Sequence, residues 1–186
     1  LEAAASLAVR HALKTDPDGD VLVFLPGRWE IEKTSGLLGA GLPENVQVMP
    51  LHGGLRLEQQ DQVLRPSEKT KVVLATNIAE TSLTLQGVRT VIDTGLVRQA
   101  QFDARLGVDR LVTRSTSQAS TVQRAGRSGR TQAGRCIRLW TAHAQANRES
   151  YDQPAIRQSD LASLLLQILA WGSDPDHFAW FERPPE

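Results

Sequence analysis

Residues 71–95 read KVVLATNIAETSLTLQGVRTVIDTG, and the pattern of this stretch decides the fold. Two short segments rich in Val, Leu and Ile, at 71–76 and 88–93, enclose a polar segment. Short segments of this kind are typical of strands that are buried on both faces of a sheet. Similar runs lie at 20–25, 46–51 and 134–140, and helical patterns lie at 2–14, 28–38 and about 56–64. Strands that alternate with helices predict an α/β fold with a doubly wound, mainly parallel sheet.

Residues 94–114 depart from this alternation. Two strand-like segments, 96–102 and 108–113, flank a short turn-forming sequence at 103–107. This order predicts a β-hairpin that projects from the domain. The stretch carries four arginines, at positions 98, 105, 110 and 114.

The candidate site follows from the predicted sheet, because ligands of a parallel sheet bind beyond the carboxyl ends of its strands. The segments in that position are 26–27, 52–54, 76–84 and 123–130. His52 is most simply a turn residue, and we assign it no chemistry.

The segment after the strand at 71–76 is rich in hydroxyl and amide side chains, namely Thr76, Asn77, Thr81, Ser82 and Thr84. Such groups suit contacts with a sugar–phosphate backbone, which they make without reading its sequence. Ser82 and Thr84 are equally well explained as caps of the next short helix, because Ser and Thr are common N-cap residues.

Residues 123–130 read QRAGRSGR. If this octet is helical, Gln123, Arg127 and Arg130 share one face, at spacings i, i+4 and i+7. Two glycines inside a helix cost about 1 kcal/mol each relative to alanine, so packing alone does not explain them. The pattern indicates a close backbone approach and planar guanidinium groups that reach an anion such as phosphate. The alternative is a solvated basic helix end.

Charge is unevenly distributed along the chain, although the formal net charge is zero. Residues 98–138 hold nine arginines, no lysine and two aspartates, which gives this block a charge of +7. A basic block in a neutral chain predicts a local surface for a polyanion.

Composition limits the location of the protein. Cys136 is the single cysteine, so no internal disulfide forms, and we expect a core thiol in a reducing compartment such as the cytoplasm. The longest apolar stretch, 161–171, is too short for a membrane span, which needs about 20 residues. No basic region followed by an apolar run opens the chain, so neither a secretory signal nor a membrane partner is expected.

The ordered segments resemble those of the second RecA-like lobe of DEAH-type superfamily 2 ATP-dependent RNA helicases. The matching strings are VLVFLPG (21–27), LHGGL (51–55), VVLATNIAETSLT (72–84), VIDTG (91–95) and QRAGRSGR (123–130). Residues 154–167 resemble the segment that opens the winged-helix domain of this family, and 168–185 look most like the bacterial HrpB group. The resemblance therefore implies a RecA-like lobe at 1–145 and the start of a winged-helix domain at 146–186.

The resemblance also implies roles at a nucleotide site. Arg127 and Arg130 would be arginine fingers that reach the β- and γ-phosphates, and Gln123 would position the attacking water or hold Arg127. Arg124 would be a structural or interlobe contact. Thr81 would link the nucleotide and nucleic-acid sites.

Two further nucleotide contacts are implied less directly. Asp93 corresponds to a position near the ribose, although a satisfied aspartate at a strand end explains it as well. Leu64 stands where family members often carry an aromatic residue that stacks on the base, so we expect little preference for ATP over other triphosphates.

Nucleic-acid contacts are implied at five positions. Thr76 and Asn77 would hold the backbone of single-stranded RNA, or possibly DNA, together with Gly27 and Arg28. The hairpin near Arg105 would lie beside the strand where a duplex enters.

The chain lacks two motifs of a complete ATPase site. It contains no G-x-x-x-x-G-K-[ST] phosphate loop and no D-E-x-H segment for Mg²⁺. The resemblance therefore implies half of a site, in which an N-terminal RecA-like lobe of the same protein holds ATP (or another triphosphate) with Mg²⁺. Alone, the chain is expected to be inactive. Two alternatives are a non-catalytic nucleic-acid-binding module and an unrelated doubly wound domain with a basic surface.

Overall fold

The computed structural model of the protein describes residues 1–39, 41–81, 83, 85–103, 105–130 and 133–185. These residues form two compact units. The first unit comprises Leu1–Val97 and Arg114–Tyr151, and the second comprises Arg98–Thr113 and Asp152–Glu186. The first unit thus ends six residues later than the predicted boundary at 145, and the hairpin groups with the tail.

The first unit is built on a sheet of five parallel strands in the order β2-β3-β1-β4-β7. The predicted α/β fold with a mainly parallel sheet is therefore confirmed. The strands of the whole chain are β1 (Asp20–Phe24), β2 (Val46–Leu51), β3 (Thr70–Ala75), β4 (Val88–Asp93), β5 (Leu96–Asp103), β6 (Val108–Ser115) and β7 (Arg135–Arg138).

Helices cover both faces of this sheet. The α-helices of the chain are α1 (Glu2–Thr15), α2 (Arg28–Leu38), α3 (Leu57–Leu64), α4 (Ile78–Thr81), α5 (Gln118–Ala125), α6 (Ala142–Ala146) and α7 (Ala162–Ala170). No helix in the described ranges is long and apolar enough to cross a membrane.

The central strand β1 shows why the strand segments are continuously apolar. Val21 and Val23 pack into one core cluster with α1 and α2, while Leu22 and Phe24 pack into a second cluster on the opposite face. Since successive side chains of a strand point to opposite faces, both sets must be apolar when both faces are covered.

One arginine of the basic block, Arg135 of β7, serves the core rather than the surface. Its guanidinium donates to the backbone oxygen of Ala12 at 3.1 Å, to the hydroxyl of Thr15 and, through Nε, to the hydroxyl of Thr90 at 3.0 Å. The same Ala12 oxygen also accepts from the amide of Asp16 at 2.9 Å, so Arg135 adds a tertiary hydrogen bond to the end of α1. Arg135 is half-buried and engaged in the fold, so it is not an exposed part of the basic block.

The second unit contains the predicted hairpin, whose strands β5 and β6 form a two-stranded sheet. The turn is closed by Asp103, whose backbone oxygen accepts from the amides of Leu106 and Gly107. Gly107 has φ of +65°, a conformation that favours glycine. The tail contributes a 3₁₀ turn at Ala155–Arg157 and α7, and the amide of Phe102 donates to the oxygen of Gln158 at 2.7 Å.

Cys136 of β7 is half-buried against the second core cluster. Burial raises the pKa of its thiol to about 11, and the carboxylate of Asp93 acts in the same direction. Since only the thiolate is nucleophilic, we expect the native thiol at pH 8 to react with a disulfide reagent on the order of 100-fold more slowly than in the urea-unfolded chain. Native and unfolded rates within a few-fold of each other would contradict this placement.

Candidate active site at the carboxyl edge of the sheet

The loops that follow the strands of the first unit leave the sheet side by side. The amide of Leu25, after β1, donates to the oxygen of Ala75 in β3 at 2.8 Å. The amide of Thr76, after β3, donates to the oxygen of Leu51 in β2 at 3.0 Å. The candidate segments after β1, β2 and β3 therefore meet at one edge, as the parallel arrangement predicts.

The octet 123–130 is not one helix, which corrects the prediction that three of its side chains share a helix face. Helix α5 ends at Ala125, Gly126 is its C-cap, and the residues to Arg130 form turns. Gly129 adopts φ of +80°, which a residue with a side chain rarely takes. Gly126 itself keeps helical angles, with φ of −65°, so of these two glycines only Gly129 needs the conformational freedom of glycine. Residues 126–130 are called the arginine turn below.

A close backbone approach does occur in this region, at a glycine beyond the octet. A Cβ atom at Gly134 would overlap the backbone of Gly129 and the side chain of Ser128. Any side chain at Gly134 would thus displace the arginine turn.

Arg124 is the most deeply engaged residue of the site, with 1% of its side chain exposed. Its guanidinium donates to Asp93 Oδ1 at 2.9 Å, to Glu80 Oε2 at 3.0 Å and to the backbone oxygen of Leu96 at 3.2 Å. Its Cζ atom also lies 4.8 Å from the ring centroid of Phe24, in cation–π range. Arg124 is therefore a structural residue that joins α5 to α4, β1, β4 and β5.

Arg127 is also largely buried, and it holds the end of α4. Its guanidinium donates to the backbone oxygen of Leu83 at 2.7 Å and to that of Glu80. Burial lowers the pKa of Arg127, the charge of Arg130 lowers it further, and Glu80 opposes both effects. Among the described residues, two of its five guanidinium donors bond to these backbone oxygens.

Gln123 and Arg130 are exposed, one on α5 and the other in the arginine turn. Arg130 follows Arg127 by three residues in the same turn, and its positive charge lowers the pKa of Arg127. The turn therefore presents one exposed guanidinium beside one that is fixed by backbone carbonyls.

Two of the predicted nucleotide contacts, Asp93 and Leu64, do not offer an exposed side chain at the carboxyl edge. Asp93 is fully buried, and its Oδ1 accepts from the amide of Gly95 at 2.8 Å as well as from Arg124. Its Oδ2 is buried and has no hydrogen-bond partner among the described residues, and without exposed surface the carboxylate cannot reach a ribose in this conformation.

Leu64 is not at the carboxyl edge. It packs against the second core cluster and lines a cavity with Asp20, Lys71 and Gly87, which lie where β1, β3 and β4 begin. The amino edge is the opposite end of the sheet, so the structure does not bring Leu64 together with the arginine turn. Its expected effect on the choice of nucleotide base therefore loses its basis.

The predicted nucleic-acid contacts of the first unit do lie at the carboxyl edge. Thr76 is half-buried, Asn77 is exposed, and Thr81 is exposed at the end of α4. Gly27 is the buried N-cap of α2, and Arg28 is exposed with its Nε 2.6 Å from Glu32. Two further candidates, Ser82 and Thr84, lie outside the described residues.

Two other predicted positions, Arg105 and His52, lie in turns. Arg105 is exposed in the hairpin turn and belongs to the second unit. His52 accepts at Nδ1 from the amide of Gly54 at 3.2 Å, as a turn residue does, and burial and the charge of Arg28 lower its pKa.

The structural roles of Glu80 and Arg148 were not predicted from the sequence. Glu80 is the one acidic residue in 76–84, and this isolated charge was a usable signal for the buried pair with Arg124. Arg148 donates to the oxygens of Gly95 and Thr116, at 2.9 Å each, and lies 4.3 Å from the ring centroid of Trp140. No sequence pattern pointed to Arg148, which supports the turn after β4.

No group of three or more His, Cys, Asp and Glu side chains suited to a metal ion occurs among the described residues.

Fold and site together define a helicase lobe. Residues 4–132 match the family described as the helicase conserved C-terminal domain, and the chain belongs to this family. The predicted resemblance to the second RecA-like lobe of DEAH-type helicases is confirmed.

The matched relatives are much longer proteins. The chain is 42% identical over 185 residues to the ATP-dependent RNA helicase HrpB of Escherichia coli, an alignment that covers 98% of the chain and 23% of HrpB. It is 39% identical to the pre-mRNA-splicing factor ATP-dependent RNA helicase prp22 of Schizosaccharomyces pombe, over 98% of the chain and 16% of that protein. A crystal structure of the E. coli DEAH/RHA helicase HrpB superposes with a TM-score of 0.92 at 41% identity, over all of the chain and 24% of that structure.

The buried position of Arg124 makes a prediction about stability. Replacing it with alanine leaves the carboxylates of Asp93 and Glu80 buried without their cation, which typically costs about 3–5 kcal/mol. We therefore expect Arg124→Ala to lower the free energy of unfolding by that amount in urea titrations followed by circular dichroism.

Arg28→Ala is the matched control, since Arg28 forms an equally short but exposed ion pair with Glu32. Exposed pairs of this kind contribute about 0.5 kcal/mol or less. If both variants lost the same small free energy, Arg124 would not be the buried clamp described above.

Proposed function

We propose that the chain completes an ATP-hydrolysing site in a larger RNA helicase by presenting Arg127 and Arg130 to nucleotide bound on another lobe. The observation that carries this proposal is the arginine turn itself. It fixes Arg127 against the backbone oxygens of Leu83 and Glu80, beyond the carboxyl end of β3, and carries the exposed Arg130 three residues later. The charge of Arg130 lowers the pKa of Arg127, so an anion bound between the lobes would stabilise both charges, and arginine is well suited to phosphate.

The residues of the turn fit the phosphates of ATP. Arg130 is exposed, and Arg127 uses two of its five donors for backbone oxygens of the described residues. Because Leu83 and Glu80 fix the Arg127 guanidinium, little side-chain entropy remains to be lost when it meets a phosphate. Gln123, exposed on the last turns of α5, would position the attacking water or hold Arg127.

ATP, held with Mg²⁺ by an N-terminal RecA-like lobe, would supply the phosphoanhydride bond that is hydrolysed. This chain would contribute positive charge as negative charge develops on the phosphate oxygens. Asp93 and Leu64 take no part in this proposal, because one is buried and the other lies at the amino edge.

The same edge is proposed to bind single-stranded RNA. Thr76 and Asn77 offer a hydroxyl and an amide, and Gly27 and Arg28 lie at the end of the neighbouring β1. Such groups contact phosphate and sugar rather than bases. RNA is proposed because the relatives are named as RNA helicases, whereas no described residue discriminates RNA from DNA. Thr81, at the end of α4, would link this surface to Arg127.

The remaining parts of the proposal concern the whole protein. The tail would open a winged-helix domain, and hydrolysis would drive movement of the lobes along RNA. The single cysteine favours a reducing compartment such as the cytoplasm.

A second candidate is a non-catalytic nucleic-acid-binding module. It is favoured by one observation: the guanidinium of Arg127 already bonds to two backbone carbonyls and is 8% exposed. In this alternative Arg127 only holds α4, and Arg130 binds the nucleic-acid backbone.

Arginine variants of a two-lobe protein test the proposal. An arginine finger contributes roughly 10³–10⁵ to the rate in related phosphoryl-transfer systems, so we expect Arg130→Ala and Arg127→Ala each to lower kcat for ATP about 10³-fold or more. The Kd for single-stranded RNA is expected to stay within about threefold of the parent, since one phosphate contact at most is lost.

The control is Arg65→Ala, which removes an exposed arginine at the amino edge and should leave both quantities unchanged. Parallel losses of ATP hydrolysis and RNA affinity in Arg130→Ala would instead support the binding module.

A further inference from the structure

The two tryptophans of the first unit both have a cation over the ring, but they differ in exposure. Trp140 donates from Nε1 to Gln145 at 2.9 Å, and the guanidinium of Arg148 covers its ring. Trp29 is 56% exposed, and its Nε1 has no hydrogen bond among the described residues. Removing a large aromatic surface from water is favourable, so an indole left this exposed is available to a partner.

Trp29 lies beside the surface proposed to bind RNA. It occupies the first turn of α2, directly after Gly27 and Arg28, at the carboxyl edge of β1. The neighbouring strand β3 ends at that edge and continues into Thr76. A strand that contacts these residues would therefore pass close to the indole.

The charges around Trp29 are already paired. Arg28 lies 2.6 Å from Glu32, and the Lys33 ammonium, 4.4 Å from the Trp29 ring centroid, lies 3.8 Å from Glu2. Arg28, proposed above to contact the backbone of the strand, would do so from within its exposed pair with Glu32. Besides the proposed contacts to the RNA backbone, this region offers the π surface of the Trp29 ring, on which a nucleic-acid base can stack.

We propose that Trp29 is a stacking platform for one base of the single strand that crosses this edge. This inference rests on the proposed function, because it requires RNA at the carboxyl edge. Stacking on an aromatic side chain tolerates any base, so Trp29 strengthens binding without reading sequence.

The test compares two probes of equal length, a fluorescent oligouridylate RNA and a ribose–phosphate strand without bases. Their Kd values are measured by anisotropy at low salt with the chain, Trp29→Ala and Trp29→Phe. Base stacking on an aromatic residue corresponds to about 5- to 150-fold in affinity. We expect the parent chain to bind RNA more tightly than the abasic strand by a factor in this range, and Trp29→Ala to bind both alike. Trp29→Phe should retain most of the preference.

Trp171→Ala is the control, since Trp171 is 74% exposed but lies in the second unit. It should keep the full preference for RNA. The dependence of log Kd on log salt should be the same for Trp29→Ala and the parent, because stacking releases no counterions.

Two results would overturn the inference, and they differ in what else they affect. If the chain binds RNA but Trp29→Ala keeps the preference for bases, the exposed indole belongs to a protein contact and the proposed function stands. If the parent chain binds neither probe even at low salt, the proposed RNA surface fails together with the role of Trp29.

Discussion

The buried guanidinium of Arg124 is the interaction on which the rest of the site depends. A charge that is 1% exposed is stable only when it is paired and hydrogen-bonded, and Arg124 meets this condition with Asp93, Glu80 and the oxygen of Leu96. The planar Arg124 guanidinium carries five donors, so this one side chain can bond to all three acceptors, which lie on different elements. These contacts therefore fix the position of α5 relative to α4 and β4.

The arginine turn takes its position from this clamp. Since α5 is fixed at Arg124, the chain turns at Gly126 and places Arg127 against the carbonyls of Glu80 and Leu83. Glu80 is thus held twice, at its carboxylate by Arg124 and at its backbone by Arg127. Any displacement of α4, which follows the proposed RNA contacts directly, must change the hydrogen bonds of the arginine turn.

The fold could be predicted from the sequence because the residue composition of a core strand indicates that the strand is buried. Residues 21–25 are apolar throughout, and the β1 residues among them are buried throughout. The interior of the site could not be predicted in the same way. Arg124 stands in a run of arginines that predicts a surface, yet its two acidic partners lie 31 and 44 residues away in sequence. The position at which α5 ends was predicted wrongly for a different reason. Helical spacing was extended across Gly126, which caps the helix, and across Gly129, which lies in the turn that follows.

The most direct measurement is ATP hydrolysis by the purified chain, with and without single-stranded RNA, alone and mixed with the N-terminal lobe of the same protein. If the chain completes a site held by the other lobe, it hydrolyses essentially nothing alone, and the mixture shows hydrolysis that RNA stimulates. Robust hydrolysis by the chain alone would contradict the account, because all the groups needed for phosphoryl transfer would then lie within these residues.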